Sequence, residues 1–249
     1  MKHILRIEGI DLRRSSTFRL HLGRIRLNGG TILCVAGPNG SGKSTLIECI
    51  AGVLTAPGVK IVVDGQPTGR NMRPVKATIG YIPDDENWFV KELCAKEYFG
   101  VLINTYGEFG VPKERMEYRV RQLAHTLRFT AFEQSIESLS HGNKKKVQLI
   151  AGLLHEPGVI VIDELRNGLD PMAIVAAERI IHDEAARGAC VIAATHDLWW
   201  AERIAHETML LLDGAIVIHS DTGELLKKYG SLERLFMQVT QGAYDHSNI

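Results

Sequence analysis

The order of apolar and polar positions divides the 249-residue chain into strand-like and helix-like stretches. HILRIEGIDL (3–12) and FRLHLGRIRL (18–27) alternate apolar with polar residues and predict two half-exposed antiparallel strands near the start. TILCVAG (31–37) is apolar almost throughout, as a strand buried on both faces must be. A helical period follows from Lys43 to about Val53, and VKIVVDG (59–65) and ATIGYIP (77–83) read as two more strands. From about Asn87 to Glu156 the period is helical, with segments near 90–106, 113–129 and 141–155. Strands return at VIVID, CVIAAT and TMLLLDGAIVIHS, helices intervene near 172–187 and 197–206, and two short helices close the chain. The last residues, GAYDHSNI, are expected to fray. The pattern predicts an α/β fold in a single domain, 1–249. It has an N-terminal antiparallel β part, a helical insert at about 87–156 and a short C-terminal helical segment at about 222–241.

Composition narrows the field. Lys and Arg number 29, Asp and Glu 29, and the formal net charge is zero, so no bulk attraction draws the chain to nucleic acid or anionic lipid. The longest apolar runs are strand-sized, far below the roughly 20 residues that span a bilayer. Met1-Lys2-His3 leads into a strand pattern broken by Arg6 and Glu8, which is not the pattern of a secretory leader. Cys34, Cys49, Cys94 and Cys190 are scattered among apolar neighbours without a CxxC pair, and read as buried, reduced thiols of a cytosolic protein.

GPNGSGKST (37–45) matches G-x-x-x-x-G-K-[ST] between an apolar strand and a helix. Gly37, Gly40 and Gly42 let the backbone turn so that N–H groups from Asn39 to Thr45, with Ser41 between, can face one anion. The helix N-terminus adds its dipole. Lys43 brings a point charge to the β- and γ-phosphates, and the Ser44 hydroxyl suits Mg²⁺. VIVIDE (159–164) is apolar at 159–162 and then acidic twice. Alone, Asp163 and Glu164 would be ordinary strand-end acids. Downstream of a phosphate loop they become a metal ligand and a residue that orients or deprotonates water. CVIAATHD ends likewise in His196, which the strand register places at the same sheet edge, in a phosphate-sensing position.

With these motifs placed, the chain resembles the ATP-binding subunit of ABC transporters over nearly its whole length. LSHGN (139–143) stands where the family signature LSGGQ falls, NGLDP (167–171) where the D-loop falls, and ATH ends in the switch histidine. The resemblance implies a P-loop, RecA-like core that binds ATP and Mg²⁺ and hydrolyses ATP. Catalytic roles fall to Glu164, His196 and Lys43, ATP contacts to 37–45, and metal contacts to Ser44, Asp163 and Asp84. It also implies a head-to-tail dimer, homo- or heteromeric, in which Ser140 and Gly142 complete the partner's site and Asp170 belongs to the D-loop. Further implications are a separate transmembrane permease and a peripheral position on the cytoplasmic face of the membrane. Lys144, Lys145 and Lys146 oppose the dipole of a helix starting near His141, by about 0.3–1 kcal/mol each. A partner's polyphosphate offsets that, or they are a solvated face.

The family's usual glutamine after YIP is Asp84, and the signature's first glycine and its glutamine are His141 and Asn143. Leu165-Arg166 replaces the common Pro-Thr, and Phe18 is the nearest aromatic for stacking adenine. IPDDEN, NGLDP and the terminal GSLERLFMQVT resemble the branch serving exporters of the type-two permease class, so export is the expected direction. The loop after Asp84, with Trp88, is expected to help form the permease docking groove. Two other readings stay open: a soluble ABC ATPase, such as the iron–sulfur assembly type, and a weakly hydrolysing regulatory cassette.

Overall fold

The computed structural model describes residues 4–67, 77–85 and 89–246, with side chains described to 240. Trp88 lies outside the described residues.

Two sheets form the framework. In the first, β1 (Ile4–Arg13) is flanked on one edge by β2 (Arg19–Leu22) and β3 (Ile25–Asn28), and on the other by β5 (Val59–Val63), followed by β6 (Gln66–Pro67); all pairings are antiparallel. β2 and β3 lie in one register along β1, with Ile10 opposite Leu22 and Ile7 opposite Ile25. FRLHLGRIRL is thus one strand by pattern and two by hydrogen bonding. The break falls at Gly23 and Arg24, where β1 itself shifts register between Ile7 and Gly9.

The second sheet has the order β11-β10-β4-β9-β8-β7. Here β4 is Ile32–Ala36, β7 Ile79–Ile82, β8 Val159–Asp163, β9 Cys190–Thr195, β10 Glu207–Leu212 and β11 Ala215–Asp221. The five strands from β10 to β7 are parallel, and only β11 is antiparallel. β4, β8 and β9 are buried at every position, which accounts for their unbroken apolar runs. The β10–β11 hairpin turns at Asp213 (φ 45°) and Gly214 (φ 76°), both left-handed as a tight hairpin requires. Gly214 joins the two sheets to the phosphate loop: its carbonyl accepts from His21 N at 2.8 Å and its N–H donates to Ser41 O at 3.0 Å.

The helices are α1 (Lys43–Ile50), α2 (Ala95–Gly107), α3 (Lys113–Thr126), α4 (His141–Leu153), α5 (Pro171–Arg187), α6 (Leu198–Ile204), α7 (Thr222–Tyr229) and α8 (Leu232–His246). Their starts follow local chemistry. Ser140, Asp170, Asp197 and Asp221 accept from the backbone N–H three residues on, at 3.3, 2.9, 2.8 and 3.0 Å. α2 starts at 95, later than the apolar period suggests. Residues 91–94 are drawn into pairing with 135–137, where Ile136 N donates to Leu93 O and Glu137 N to Lys91 O. Glu97 then receives Cys94 N at 2.9 Å and closes the helix start. The tail expected to fray is helical through His246, as the continuation of α8. Cys34, Cys49 and Cys190 are buried, but Cys94, at a helix start, is half-exposed.

His155 follows α4 and is buried, stacked on Tyr106 with centroids 3.9 Å apart, with Nε2 against Ile79 O at 3.3 Å. Burial lowers its pKa to about 4, and the bond to Ile79 O only partly opposes this. The unfolded chain therefore binds a proton here that the folded chain refuses. The stability this contributes is full above pH 6.5 and drains away as pH falls toward 4, by about 3 kcal/mol in all. His155→Phe should flatten the fall in melting temperature over that interval, and an unchanged acid limb would remove His155 from the account.

Candidate functional site

Strand order assembles the site. β9 lies between β4 and β8, with Ala36 opposite Thr195 and Asp163 opposite Ala194. The residues that follow these strands, 37–45, Glu164 and His196, therefore emerge side by side at the C-terminal edge of a parallel sheet, where such folds bind ligands. Glu164, His196 and part of the loop line one cleft of about 580 Å³ together with Phe18, Asp84, Asp163 and Asn167. Asn39, Gly40, Gly42, Lys43, Ser44 and Thr45 face it. Among the residues predicted from sequence, Gly37, Ser41, Ser140, Gly142 and Asp170 do not line it.

Sterics fix the loop. A Cβ on Gly37 would lie 2.3 Å from Leu211 O, and Gly40 and Gly42 hold φ of 82° and 104°. Ser41 N donates to Pro38 O at 3.2 Å to close the turn, and Leu46 N to Gly42 O at 2.9 Å opens α1. The first turn of α1 carries no acid, so its dipole is left for an anion. Lys43 is buried, and its Nζ donates to Gly37 O at 2.9 Å and Pro38 O at 3.1 Å. Burial lowers its pKa, against the opposing charges of Glu164 and Asp163. Phe18 closes the loop from the side: a Cβ on Gly42 would meet its Cζ at 2.9 Å.

The two acids of VIVIDE differ in setting. Asp163 is buried, and its Oδ1 has no hydrogen-bond partner among the described residues. Burial raises its pKa, the Ser44 hydrogen bond lowers it, and the charges of Glu164 and Asp84 raise it again. A buried, half-satisfied carboxylate bonded to a hydroxyl, inside an anion-binding loop, fits a hard divalent cation. Among the described residues no group of three or more His, Cys, Asp or Glu could hold a metal.

Glu164 adopts φ 46°, a left-handed backbone that costs a non-glycine residue about 1–2 kcal/mol. The strain aims its side chain into the cleft: Oε1 meets His196 Nδ1 at 2.9 Å, and Oε2 accepts from Thr195 Oγ1 at 3.4 Å. Thr195 also accepts Asp197 N at 3.0 Å, so one hydroxyl ties the Glu164 carboxylate to the loop of His196. Sequence reading passed over Thr195, although it is a polar residue ending an apolar strand. It also passed over Asn167, whose Nδ2 donates to Asp84 Oδ1 at 3.0 Å, and the ion pair of Arg166 with Asp197. Arg166 and Arg203 flank the exposed Trp199 ring, with centroid distances of 5.9 and 4.7 Å, whereas Trp200 is fully buried.

Outside the cleft, Ser140 caps α4, and Gly142 is needed sterically, because a Cβ there would lie 2.8 Å from Gly168 O. His141 packs on the same residue: a Cβ on Gly168 would stand 2.0 Å from the imidazole. The signature segment and the D-loop segment of one chain are thus in direct contact.

A mostly parallel sheet with a glycine-rich phosphate loop after one strand and an Asp-Glu pair after another defines a P-loop nucleoside triphosphatase. A family model described as ABC transporter matches residues 21–167. The energy-coupling factor transporter ATP-binding protein EcfA1 of Methanospirillum hungatei is 30% identical over 204 residues, covering 80% of this chain and 72% of its own. The molybdate/tungstate import ATP-binding protein WtpC of Methanocaldococcus jannaschii is 28% identical over 197 residues, covering 78% of this chain and 63% of its own. A solved ATP-binding subunit of an ABC transporter superposes with a TM-score of 0.84 at 25% identity, over 95% of this chain and 99% of that one. The chain belongs to the ABC transporter family, as an ATP-binding subunit, and is an ATPase.

Proposed function

We propose that the chain binds ATP with Mg²⁺ in the cleft formed by 37–45, Asp163, Glu164 and His196, and that its hydrolysis drives a separate membrane-spanning subunit. The observation that carries this is the Glu164 carboxylate, strained toward the cleft and held by His196 at 2.9 Å and by Thr195, beside the phosphate loop. Ser44 and Asp163 would hold the metal, with Asp84 on the same side. The ion supplies charge neutralisation on the transferred phosphate. Lys43 and the loop N–H groups bind the phosphates, Phe18 stands where a base can stack, and Glu164 accepts the proton of the attacking water. His196 keeps Glu164 oriented and, on the cleft side, meets the γ-phosphate.

Ser140 and Gly142 lie outside their own chain's cleft, at a helix start with no acid in its first turn. This supports their completing the cleft of a second ATP-binding domain, with Asp170 nearby. The helices between 87 and 156 are taken as one subdomain and those from 222 as a C-terminal appendage.

Among the described residues no helix is long and apolar enough to cross a membrane. An apolar groove of about 480 Å³ between α1, β7 and α2, lined by Val53, Tyr81, Tyr98, Leu102 and Tyr106, suits a helix of that permease. Phe89, beside the expected docking loop, is instead buried edge-on to Tyr98 at 5.4 Å. Export, expected from the terminal segment and IPDDEN, gains no support from the relatives, one of which is named for import. The proposal therefore carries no direction.

Purification from detergent-solubilised membranes with ATP present tests this reading. The wild type should bring down a multi-spanning protein, identified by mass spectrometry, and Leu102→Glu should lose it while still binding ATP. Absence of such a protein from the wild type would remove the permease, and its retention by Leu102→Glu would move the docking surface elsewhere.

A further inference from the structure

Within the run Lys144-Lys145-Lys146, the middle lysine does not join a solvated face. Lys145 is 2% exposed, whereas Lys144 and Lys146 are only half-buried. Its Nζ donates to Pro83 O at 2.9 Å and Asp163 O at 3.3 Å, and stands 3.8 Å from Asp84 Oδ1. Pro83 follows β7 and Asp163 ends β8, so one ammonium from α4 spans the ends of two adjacent strands. The same helix is tied again at Gln148, whose Nε2 donates to Asp85 O at 2.9 Å.

Burying an ammonium costs several kcal/mol unless its donors and charge are answered. Two of its three donors are answered by the Pro83 and Asp163 carbonyls. The charge faces Asp84, at the position where the resemblance calls for a neutral glutamine, and it also favours the charged form of the Asp163 carboxylate. An extra acid at 84 would otherwise oppose the nucleotide phosphates, and its field extends across a cleft this small.

We infer that Lys145 is a positioning residue: a fixed internal cation that balances Asp84 at the metal side of the cleft. Through it, the helix that begins at Ser140 is fastened to the strand ends carrying Asp84 and Asp163. The pair Asp84–Lys145 does here, with opposite charges, what a neutral side chain does without them. This inference rests on the proposed nucleotide site.

Its test is a binding measurement, not turnover: the ratio of ATP dissociation constants without and with Mg²⁺, by titration calorimetry. Lys145→Met leaves Asp84 unbalanced, so metal-free ATP is repelled more than the Mg²⁺ complex and the ratio should rise roughly tenfold. Asp84→Asn should lower it, and the double variant should return it to within about threefold of wild type. Lys145→Gln keeps a donor to the carbonyls but not the charge, and should raise the ratio as Lys145→Met does if that variant fails to fold. A ratio within twofold of wild type in the folded Lys145 variant would overturn the inference, as would a rise that Asp84→Asn does not reverse. Failure of the wild type to bind ATP, or full binding by Lys43→Ala, would instead count against the nucleotide site itself.

Discussion

Glu164→Gln is expected to lower ATP turnover by about 10²–10⁴-fold while leaving ATP affinity within a few-fold of wild type. Glutamine keeps the shape of the side chain and one oxygen for the Thr195 hydroxyl, but it cannot take a proton. If two copies close on ATP as proposed, loss of hydrolysis should keep them together, and the variant with ATP should elute as a dimer under conditions where the wild type does not. Turnover at the wild-type rate would take Glu164 out of the chemistry. A companion variant separates strain from chemistry. Glu164→Gly removes the same carboxylate and also relieves the left-handed backbone at φ 46°. It should be equally inactive yet more stable, by about 1 kcal/mol or roughly 2–4 °C in melting temperature for a chain of this size. A drop in melting temperature would show that the φ of Glu164 stores no strain.

Gly37→Ala is the second large effect. The new methyl would sit 2.3 Å from Leu211 O and 2.7 Å from Ser41 Oγ. Leu211 lies in β10, opposite Ile216 of β11 and one residue beyond the last pair with β4, so the sheet restrains its carbonyl. The loop must therefore lift from the sheet, at about 1–3 kcal/mol of stability. Its N–H groups then miss the phosphates, and ATP affinity should fall by more than tenfold. Calorimetric titration and a thermal melt read both numbers. Wild-type affinity would mean that the loop tolerates the shift and that its register is not set by Leu211.

The parts of this protein that were legible in the sequence are those whose signals are local. The phosphate loop, the two acids after 159–162 and the histidine after 190–195 each sit at the end of an apolar run that the eye finds without a structure. That they converge depends on β9 lying between β4 and β8, which no single stretch encodes. Lys145 escaped for a different reason. A lysine in a polar run at a helix start is indistinguishable from its neighbours until α4 is laid against β7 and β8, and only then is one of three identical residues buried. The start of α2 was misplaced because residues 91–94 pair with 135–137, a contact across some forty residues that overrides the helical period. His141, a departure from the signature, has its ring against Gly168 of the D-loop segment, a contact across 27 positions that the sequence does not announce.

Gly214 has a bearing on how the protein is made. The phosphate loop is laid down early in the chain, yet its Ser41 carbonyl is held by the N–H of Gly214, and Gly37 rests on Leu211. During synthesis the whole of 37–45 leaves the ribosome with its floor still unmade, some hundred and seventy residues upstream of the hairpin that supplies it. A nascent chain halted before residue 207 carries the complete nucleotide motif as sequence and lacks the surface that shapes it. Chains that stop short of β10 are thus expected to bind ATP more weakly than the full chain, because Gly37 and Ser41 lack the contacts that hold the loop.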